Sequence, residues 1–189
     1  IAEVTGGRYY RATDSKELEK IYNEIDSLEK ISFFVEKYRE NDEVEIRVNE
    51  SCLKVFKGYY KNDRLNGLFQ KYYRTGMPYI KSHYKDGTLD GKMTLYYNNG
   101  QKESEAMMKN NKKDGVFKAW YEEGTKRKLA FYKDGKREGE LINFYPNGDT
   151  ALIENIKDGR RHGVYKIWDA TLKVLIKYEE YKNGKKDGL

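Results

Sequence analysis

Residues 133–148, KDGKREGELINFYPNG, place two turn signals, Asp-Gly and Asn-Gly, around one short apolar and aromatic run. Closely similar sequences occur at residues 61–76, 85–100 and 110–124. A segment that returns at a fixed interval, with its turn signals in the same places, is typical of repeat architectures. The sequence therefore predicts a repeat protein.

The period of the repeat is 24 residues. One glycine of each unit, which we expect to open a strand, recurs at intervals of 24, 24, 24, 24 and 25 residues. A second glycine recurs in the following turn, and an aromatic residue recurs shortly before it. The first set of glycines is Gly67, Gly91, Gly115, Gly139, Gly163 and Gly188.

Each unit contains two runs of strand length, separated by an Asn-Gly, Thr-Gly or Glu-Gly turn, and then by an Asp-Gly connection that we interpret as the longer loop. Both connections are too short for a crossover helix, so successive strands should be antiparallel neighbours. The sequence predicts an all-β repeat protein, a single-layer antiparallel β-meander with about twelve strands over residues 43–181. The irregular stretch WDATLKV after Trp168 predicts a last hairpin one residue longer than the others.

The first 30 residues differ from the repeats. The stretch SKELEKIYNEIDSLEK, residues 15–30, spaces its apolar residues as one face of a helix would require, which predicts a short α-helical N-terminal segment. Residues 31–42 read as a connector or short helix that ends in a polar break. We divide the chain into a strand and helix segment at 1–30, a connector at 31–42 and a β-hairpin repeat array at 43–189.

Charge is divided unevenly along the chain. Residues 1–50 carry a net charge of −5, whereas residues 51–189 carry +11. A lysine follows the end of each second run, and these lysines should lie along one edge of the sheet, about 10 Å apart. They are candidate interaction residues for an anionic partner, with solvated loops as the alternative interpretation: Lys85, Lys109, Lys133 and Lys157.

Aromatic residues close the first run of each unit. We interpret them as a structural ladder, because a single-layer sheet has no second layer to bury its apolar side chains. The neighbouring positions include Tyr97 and Tyr121, which period-two geometry assigns to the other face and which are candidates for an exposed binding surface. The ladder consists of Tyr72, Tyr96, Trp120, Phe144 and Trp168.

The chain offers little that would support catalysis. His83 and His162 occupy different repeat positions, one in a second run and one in a turn, so they form no paired ligand set. Cys52 is the single cysteine, which excludes an intrachain disulfide and a cysteine-built zinc site. No nucleophile elbow, phosphate-binding loop or dinucleotide fingerprint occurs. We therefore expect no enzymatic activity, no metal and no cofactor.

The combination of a glycine, an aromatic pair, a turn glycine and a strand ending Tyr-Lys-Asp-Gly resembles the MORN repeat, and in particular its bacterial variant named for YwqK-type antitoxins, over about residues 53–189. Residues 1–30 are similar to the C-terminal tail of bacterial aerotolerance-type von Willebrand factor A (VWA) domains. The Asp-x-Ser-x-Ser metal motif of that family is absent here, so metal-dependent adhesion is not implied. The second resemblance leads us to expect that the chain is a fragment of a longer protein.

The MORN resemblance implies a non-catalytic protein-interaction or scaffold module. Two alternatives stay open: an antitoxin that neutralises a toxin, and a peripheral membrane adaptor that binds anionic lipids through its lysine-rich edge. The preferred partner is a protein, an anionic membrane surface is the second choice, and nucleic acid is disfavoured because no recognised binding module is visible. The sequence does not choose between bacterial cytoplasm and cell envelope.

Overall fold

The computed structural model describes residues 33–38, 43–48 and 53–188, and the surroundings of side chains from residue 56 onward. Over these ranges the chain forms fourteen β-strands and no helix. The predicted N-terminal helix and Cys52 lie outside the described residues. The strands are β1 Phe33–Tyr38, β2 Glu43–Val48, β3 Leu53–Lys61, β4 Arg64–Tyr72, β5 Pro78–Lys85, β6 Thr88–Tyr96, β7 Lys102–Lys109, β8 Lys112–Trp120, β9 Lys126–Lys133, β10 Lys136–Phe144, β11 Thr150–Lys157, β12 Arg160–Trp168, β13 Leu175–Lys182 and β14 Lys185–Lys186.

The chain packs as two compact units, Ile1–Thr88 and Leu89–Leu189. In the first unit β1 to β5 pair antiparallel in chain order. In the second unit β6 to β14 do the same. The predicted antiparallel meander is confirmed, and the twelve strands expected between residues 43 and 181 correspond to β2 through β13.

Strand β1 corrects the interpretation of residues 31–42 as a connector or short helix. Residues 33–38 form a strand whose register places Val35 opposite Ile46 of β2. The segment FFVEKY is rich in aromatic and β-branched residues, which favour strands over helices when a neighbouring strand is there to pair with. Strand pairing therefore begins ten residues earlier than the repeat pattern indicates.

Two kinds of turn alternate along the meander, and the predicted loop lengths were reversed. The Asp-Gly connection is the short one: Asp134 and Gly135 form a two-residue turn with φ values of 49° and 82°. Positive φ at both central positions defines a type I′ turn, which Asn, Asp and Gly adopt at low cost. This turn needs no further residues because its twist matches that of the strands it joins.

The connection at the aromatic ends of the strands is longer. The Tyr145 N–H donates to the Asp149 carbonyl at 2.8 Å, and the Gly148 N–H donates to the Tyr145 carbonyl at 2.9 Å. Gly148 has a φ of 89°, so the loop is a type I turn followed by a left-handed glycine. The same pair of hydrogen bonds occurs in the turns that begin at Tyr73, Tyr97 and Tyr121.

The last of these turns is one residue longer, as predicted. The Asp169 N–H donates to the Val174 carbonyl, five residues on instead of four. The Asp169 carboxylate accepts hydrogen bonds from the N–H groups of Leu172 and Thr171, at 2.7 and 2.8 Å, which lowers the pKa of this carboxyl. The extra residue is thus accommodated by a side chain that satisfies the additional main-chain donors.

The glycines expected to open strands lie inside them. Gly115 is the fourth residue of β8, and the register around it pairs Met108 with Lys113 but Ala106 with Phe117. Three residues of β8 therefore face Met107 alone, which is a β-bulge. Gly115 has a φ of 116°, and an added Cβ would lie 3.2 Å from the Met107 Cβ, so the position excludes side chains on two grounds.

One face of the second unit, here called the core face, holds the buried residues. Across its centre large side chains lie directly opposite small ones, with Phe117 facing Ala130 and Met93 facing Ala106. Ala130, Leu141 and Ile156 form the buried centre, and Phe117, Tyr132 and Leu152 pack against it. A single sheet can bury these residues because each large side chain lies over the small residue of its neighbour.

The large residues of the core face alternate with a period of two repeats. Edge-to-face aromatic pairs, Phe117 with Tyr132 and Tyr165 with Tyr181, have ring centroids 5.9 and 6.1 Å apart. The repeat between them carries the aliphatic residues Leu141 and Ile156 at the corresponding positions. Aromatic and aliphatic layers therefore follow one another along the sheet, each in a favourable packing geometry.

Candidate interaction surface

Each candidate lysine is the last residue of a strand and directly precedes a two-residue turn. In the second unit Lys109, Lys133 and Lys157 are the last residues of β7, β9 and β11, and all three are exposed. Each lies directly opposite a second cation across the two-residue turn: Lys112, Lys136 and Arg160. In the first unit Lys85 ends β5 and is also exposed.

The edge that carries these turns concentrates positive charge. The four five-residue segments of the second unit that contain the two-residue turns hold twelve Lys or Arg and two Asp. The four longer turns at the other edge hold one Lys and four Asp or Glu. In the second unit, positive charge is therefore concentrated at the strand ends joined by two-residue turns, and negative charge at the strand ends joined by the longer turns. We call the positive edge the basic turn edge, formed by residues 109–113, 133–137, 157–161 and 182–186.

Hydrogen bonds join successive turns of the basic turn edge. The Gly135 N–H donates to the Lys113 carbonyl at 2.8 Å, and the Gly184 N–H donates to the Arg161 carbonyl at 2.8 Å. Gly159 makes the equivalent bond to the Arg137 carbonyl. Each turn is thereby attached to the strand that follows the preceding turn. The charges are carried on a row of fixed turns, which reduces the entropy lost when a partner binds.

The two candidate tyrosines lie in turns, which corrects their assignment to a strand position on the other face of the sheet. The Tyr97 hydroxyl donates to the Trp120 carbonyl at 2.8 Å, and the Tyr121 hydroxyl donates to the Phe144 carbonyl at 2.7 Å. Burial raises the pKa of Tyr97, and the nearby Arg127 opposes this shift. Both side chains are half-buried and connect one repeat to the next, so they offer a poor exposed binding surface.

The ladder residues end their strands beside these turns. Tyr72, Tyr96, Trp120, Phe144 and Trp168 are all half-buried. The buried centre of the second unit lies elsewhere, on the core face around Leu141. The ladder positions therefore contribute to stability from the margin of the sheet, and the Lys102 Nζ lies 5.7 Å from the centre of the Trp120 ring.

Several cations, some of them part of the basic turn edge, lie over the core face. The Lys113 Nζ lies 4.2 Å from the Phe117 ring centre, and the Arg161 guanidinium lies 4.2 Å from the Tyr165 ring centre. Both distances fit cation–π interactions. Burial lowers the pKa of Lys128, and the adjacent Arg137 and Lys113 lower it further. Lys113, Arg137 and Arg161 are the last residues of their segments of the basic turn edge, and their contacts with the core face distinguish them from Lys109, Lys133 and Lys157, which lie exposed at the strand ends.

Glu154 is a buried carboxylate that contacts two of these cations. Its carboxylate accepts a hydrogen bond from the Arg161 Nε at 2.5 Å and lies 3.8 Å from the Arg137 Nη1. The hydrogen bond to Glu154 raises the pKa of Arg161. Glu154 occupies the position that Ala130 and Ala106 hold in earlier repeats, so the two arginines compensate a charge that replaces a small core residue.

Glu179 offers a test of the electrostatics by titration. The hydrogen bond from Lys186 is the main cause that lowers the pKa of Glu179 to about 2, and the Tyr181 hydroxyl, at 2.8 Å, contributes. A lowered pKa means that the ionised carboxylate stabilises the fold above its ordinary pKa of 4.5, and that this contribution is lost as the pH falls through about 2. We expect Lys186→Met to raise the Glu179 pKa, measured by carboxyl NMR titration.

The control for this titration is Lys185→Met, which removes an exposed lysine on the adjacent residue. We expect it to leave the Glu179 pKa within about 0.3 of the wild-type value because the Lys186 contact is kept. An equal shift from the two variants would contradict the specific pairing.

No metal centre is visible in the part of the chain that the structure describes. Among those residues no group of three His, Cys, Asp or Glu side chains could hold a metal ion. His162 lies within β12 and not in a turn, and its Nδ1 accepts a 3.5 Å hydrogen bond from the Asn183 N–H. His83 lies in β5. The expectation that the protein is not an enzyme stays a prediction.

Reasoning from the sequence did not find the exposed apolar residues on the face opposite the core. Met107 is 45% exposed, Phe131 44% and Val116 41%. Three residues of β8 lie opposite Met107 at the bulge, so residues two apart keep to one face on both sides of it. The alternation of residues does not by itself say which of the two faces is buried.

Among the described residues no helix has the length and apolar character needed to cross a membrane. No curated protein matches the chain significantly. The expectations of a bacterial source, a YwqK-type antitoxin and a VWA-domain tail stay predictions. The MORN repeat variant family matches three consecutive units of the array, at residues 65–86, 89–110 and 113–134.

Proposed function

We propose that this chain is a non-catalytic binding module whose basic turn edge docks an acidic protein surface. The match of three units to the MORN repeat variant supports a repeat module that mediates binding. The observation that carries the proposal is the row of twelve cations against two anions, held on fixed type I′ turns along one edge of the second unit. Complementary charge of this kind accelerates association and selects partners.

The exposed lysines are better suited to this role than the tyrosines. Charge pairs on solvated turns contribute little to folding stability, so these residues have no strong structural function. Tyr97 and Tyr121, in contrast, donate hydrogen bonds that connect repeats. An anionic membrane surface would also be attracted to the basic turn edge and is the second candidate.

The test is a binding measurement with reversed charges. Proteins captured from a lysate by the full chain would be identified and purified, and their association rates measured at about 0.05 and 0.5 M salt. We expect Lys109→Glu, Lys133→Glu and Lys157→Glu together to slow association about tenfold at low salt, and high salt to slow the wild type similarly. Circular dichroism should show that the variant stays folded.

The matched control reverses charges at the opposite edge. Lys126 and Arg127 are exposed and lie at the start of β9, so reversing both should leave association nearly unchanged. Vesicles containing phosphatidylserine, compared with phosphatidylcholine alone, test the membrane alternative. Association that ignores salt and all three reversals would show that the basic turn edge is not the docking surface.

A further inference from the structure

An apolar band crosses five strands of the second unit on the face opposite the core. Val116 lies directly opposite Phe131, and Met107 faces the bulge that precedes Val116. Leu129 shares the face of Phe131 and lies opposite Ile142, which in turn lies opposite Ile153. The band therefore runs without interruption from β7 to β11, about 19 Å at 4.8 Å per strand. Its members are Met107, Val116, Leu129, Phe131, Ile142 and Ile153.

This band is accessible. Three of its members, Met107, Val116 and Phe131, expose 41–45% of their surface, and the other three are half-buried. Large apolar residues with this exposure seldom lie next to one another on a monomer without a partner. On neighbouring strands the same row carries polar residues: Lys92 lies opposite Met107, and Glu140 lies opposite Asn155. The apolar residues are thus grouped on neighbouring strands instead of scattered.

Lysines border the band on the side of the basic turn edge. Lys109 and Lys133 follow Met107 and Phe131 by two residues on their strands, so they lie on the same face. Lys118 lies farther from that edge, between Glu105 and Leu129 on the neighbouring strands, and is exposed. A ligand that covers the apolar band therefore meets positive charge at its margin, and acidic side chains on that ligand would be complementary.

The acidic residues of this face favour a protein segment over a membrane. Glu138 lies directly opposite Phe131, and Glu140 follows it across the bulge. A uniformly anionic bilayer would bring its headgroups close to these carboxylates, which costs free energy by like-charge repulsion. A polypeptide can place its acidic side chains toward the lysines only, and its apolar side chains on Phe131.

We infer that the apolar band is the docking site of a partner segment that combines apolar anchor side chains with Asp or Glu residues, the acidic groups lying toward Lys109, Lys118 and Lys133. This inference rests on the proposed function and specifies it further, because it names the chemistry of the partner and adds a surface outside the basic turn edge. The anchors supply buried apolar area, and the acidic residues fix orientation.

Random 12-residue peptides displayed on phage, selected on the immobilised full chain at about 0.05 M salt, provide the probe. We expect the selected peptides to combine Phe, Trp or Leu with Asp or Glu. Their affinity should fall about tenfold or more for Phe131→Ser with Val116→Ser, because anchor residues carry most of the binding free energy. Selection of peptides without acidic residues, or without apolar residues, would overturn the inference.

Val164→Ser is the matched control. Val164 occupies the repeat position of Val116, 48 residues later in β12, and lies opposite Glu180 and outside the band. We expect this variant to bind the selected peptides with wild-type affinity. Equal losses from Val164→Ser and from the Phe131 and Val116 variant would indicate an effect on the fold, and would count against a local docking site. Urea denaturation of each variant shows separately whether the fold is kept.

The outcomes separate this inference from the proposed function. If the three lysine reversals weaken binding of the purified protein partner but Phe131→Ser with Val116→Ser does not, the apolar band is not a docking site and the basic turn edge still is. If neither set of substitutions weakens binding of the purified protein partner, both proposals fail. Binding to phosphatidylserine vesicles that requires Phe131 would assign the band to a membrane and overturn the inference.

Discussion

Leu141→Ala is expected to lower the free energy of unfolding by about 3 kcal/mol, the usual range for truncating a buried leucine whose cavity cannot collapse. Leu141 is 3% exposed and lies at the buried centre with Ala130 and Ile156. Leu141 lies directly opposite Glu154 in the regular pairing of β10 with β11, which holds the backbone in place, so it cannot readily move inward to fill the space. Urea denaturation followed by circular dichroism measures the loss.

Trp120→Ala should cost less, about 1.5 kcal/mol, although it removes a larger side chain. Trp120 is half-buried at the margin of the sheet, and its carbonyl, which accepts the hydrogen bond from Tyr97, is kept in the variant. Lys133→Ala, at an exposed turn, is the surface control and should change stability by less than about 0.5 kcal/mol. A larger loss for Trp120→Ala than for Leu141→Ala would make the ladder, and not the core face, the main source of stability.

Gly115→Ala is expected to lower the free energy of unfolding by about 2–3 kcal/mol, a large effect for adding one methyl group. The φ of 116° lies far from the left-handed region near 57° that other residues tolerate. The new Cβ would also lie 3.2 Å from the Met107 Cβ, which belongs to a strand that cannot shift without breaking its pairing. Thermal or urea denaturation would show the loss.

The chain provides its own control for this substitution. Gly139 occupies the same repeat position in β10, but its φ is 72° and no atom lies within 4 Å of an added Cβ. We expect Gly139→Ala to cost about 1 kcal/mol, because only the left-handed conformation is penalised. Similar losses of unfolding free energy at the two glycines would indicate that the close approach to Met107 does not add to the cost of the Gly115 substitution.

The repeat pattern was readable from the sequence because its signals are local. Asp134-Gly135 and Asn147-Gly148 mark turns through the positive φ that these residues tolerate, and the spacing between turns leaves room only for antiparallel strands. The exposed position of Lys109, Lys133 and Lys157 follows from the same pattern, since each directly precedes a turn. The longer last turn was likewise indicated by its extra residue.

The errors share one physical cause, which is that a strand's register depends on its neighbour. At the bulge around Gly115 three residues of β8 lie opposite Met107, and the local preferences of the β8 residues do not predict this register. Tyr121 seemed a strand residue by spacing, but its hydroxyl donates to the Phe144 carbonyl of a later repeat. Strand β1 likewise depends on pairing with β2 for its stability.

The sequence by itself determined the architecture, the period of 24 residues and the edge on which the lysines lie, because turn chemistry and strand alternation act over a few residues. Only the tertiary structure decided which face is the core and which face carries the apolar band of Met107, Val116 and Phe131. Alternation along the strands assigns side chains to two faces, but which face becomes buried depends on how the side chains of neighbouring strands pack, as Phe117 does opposite Ala130.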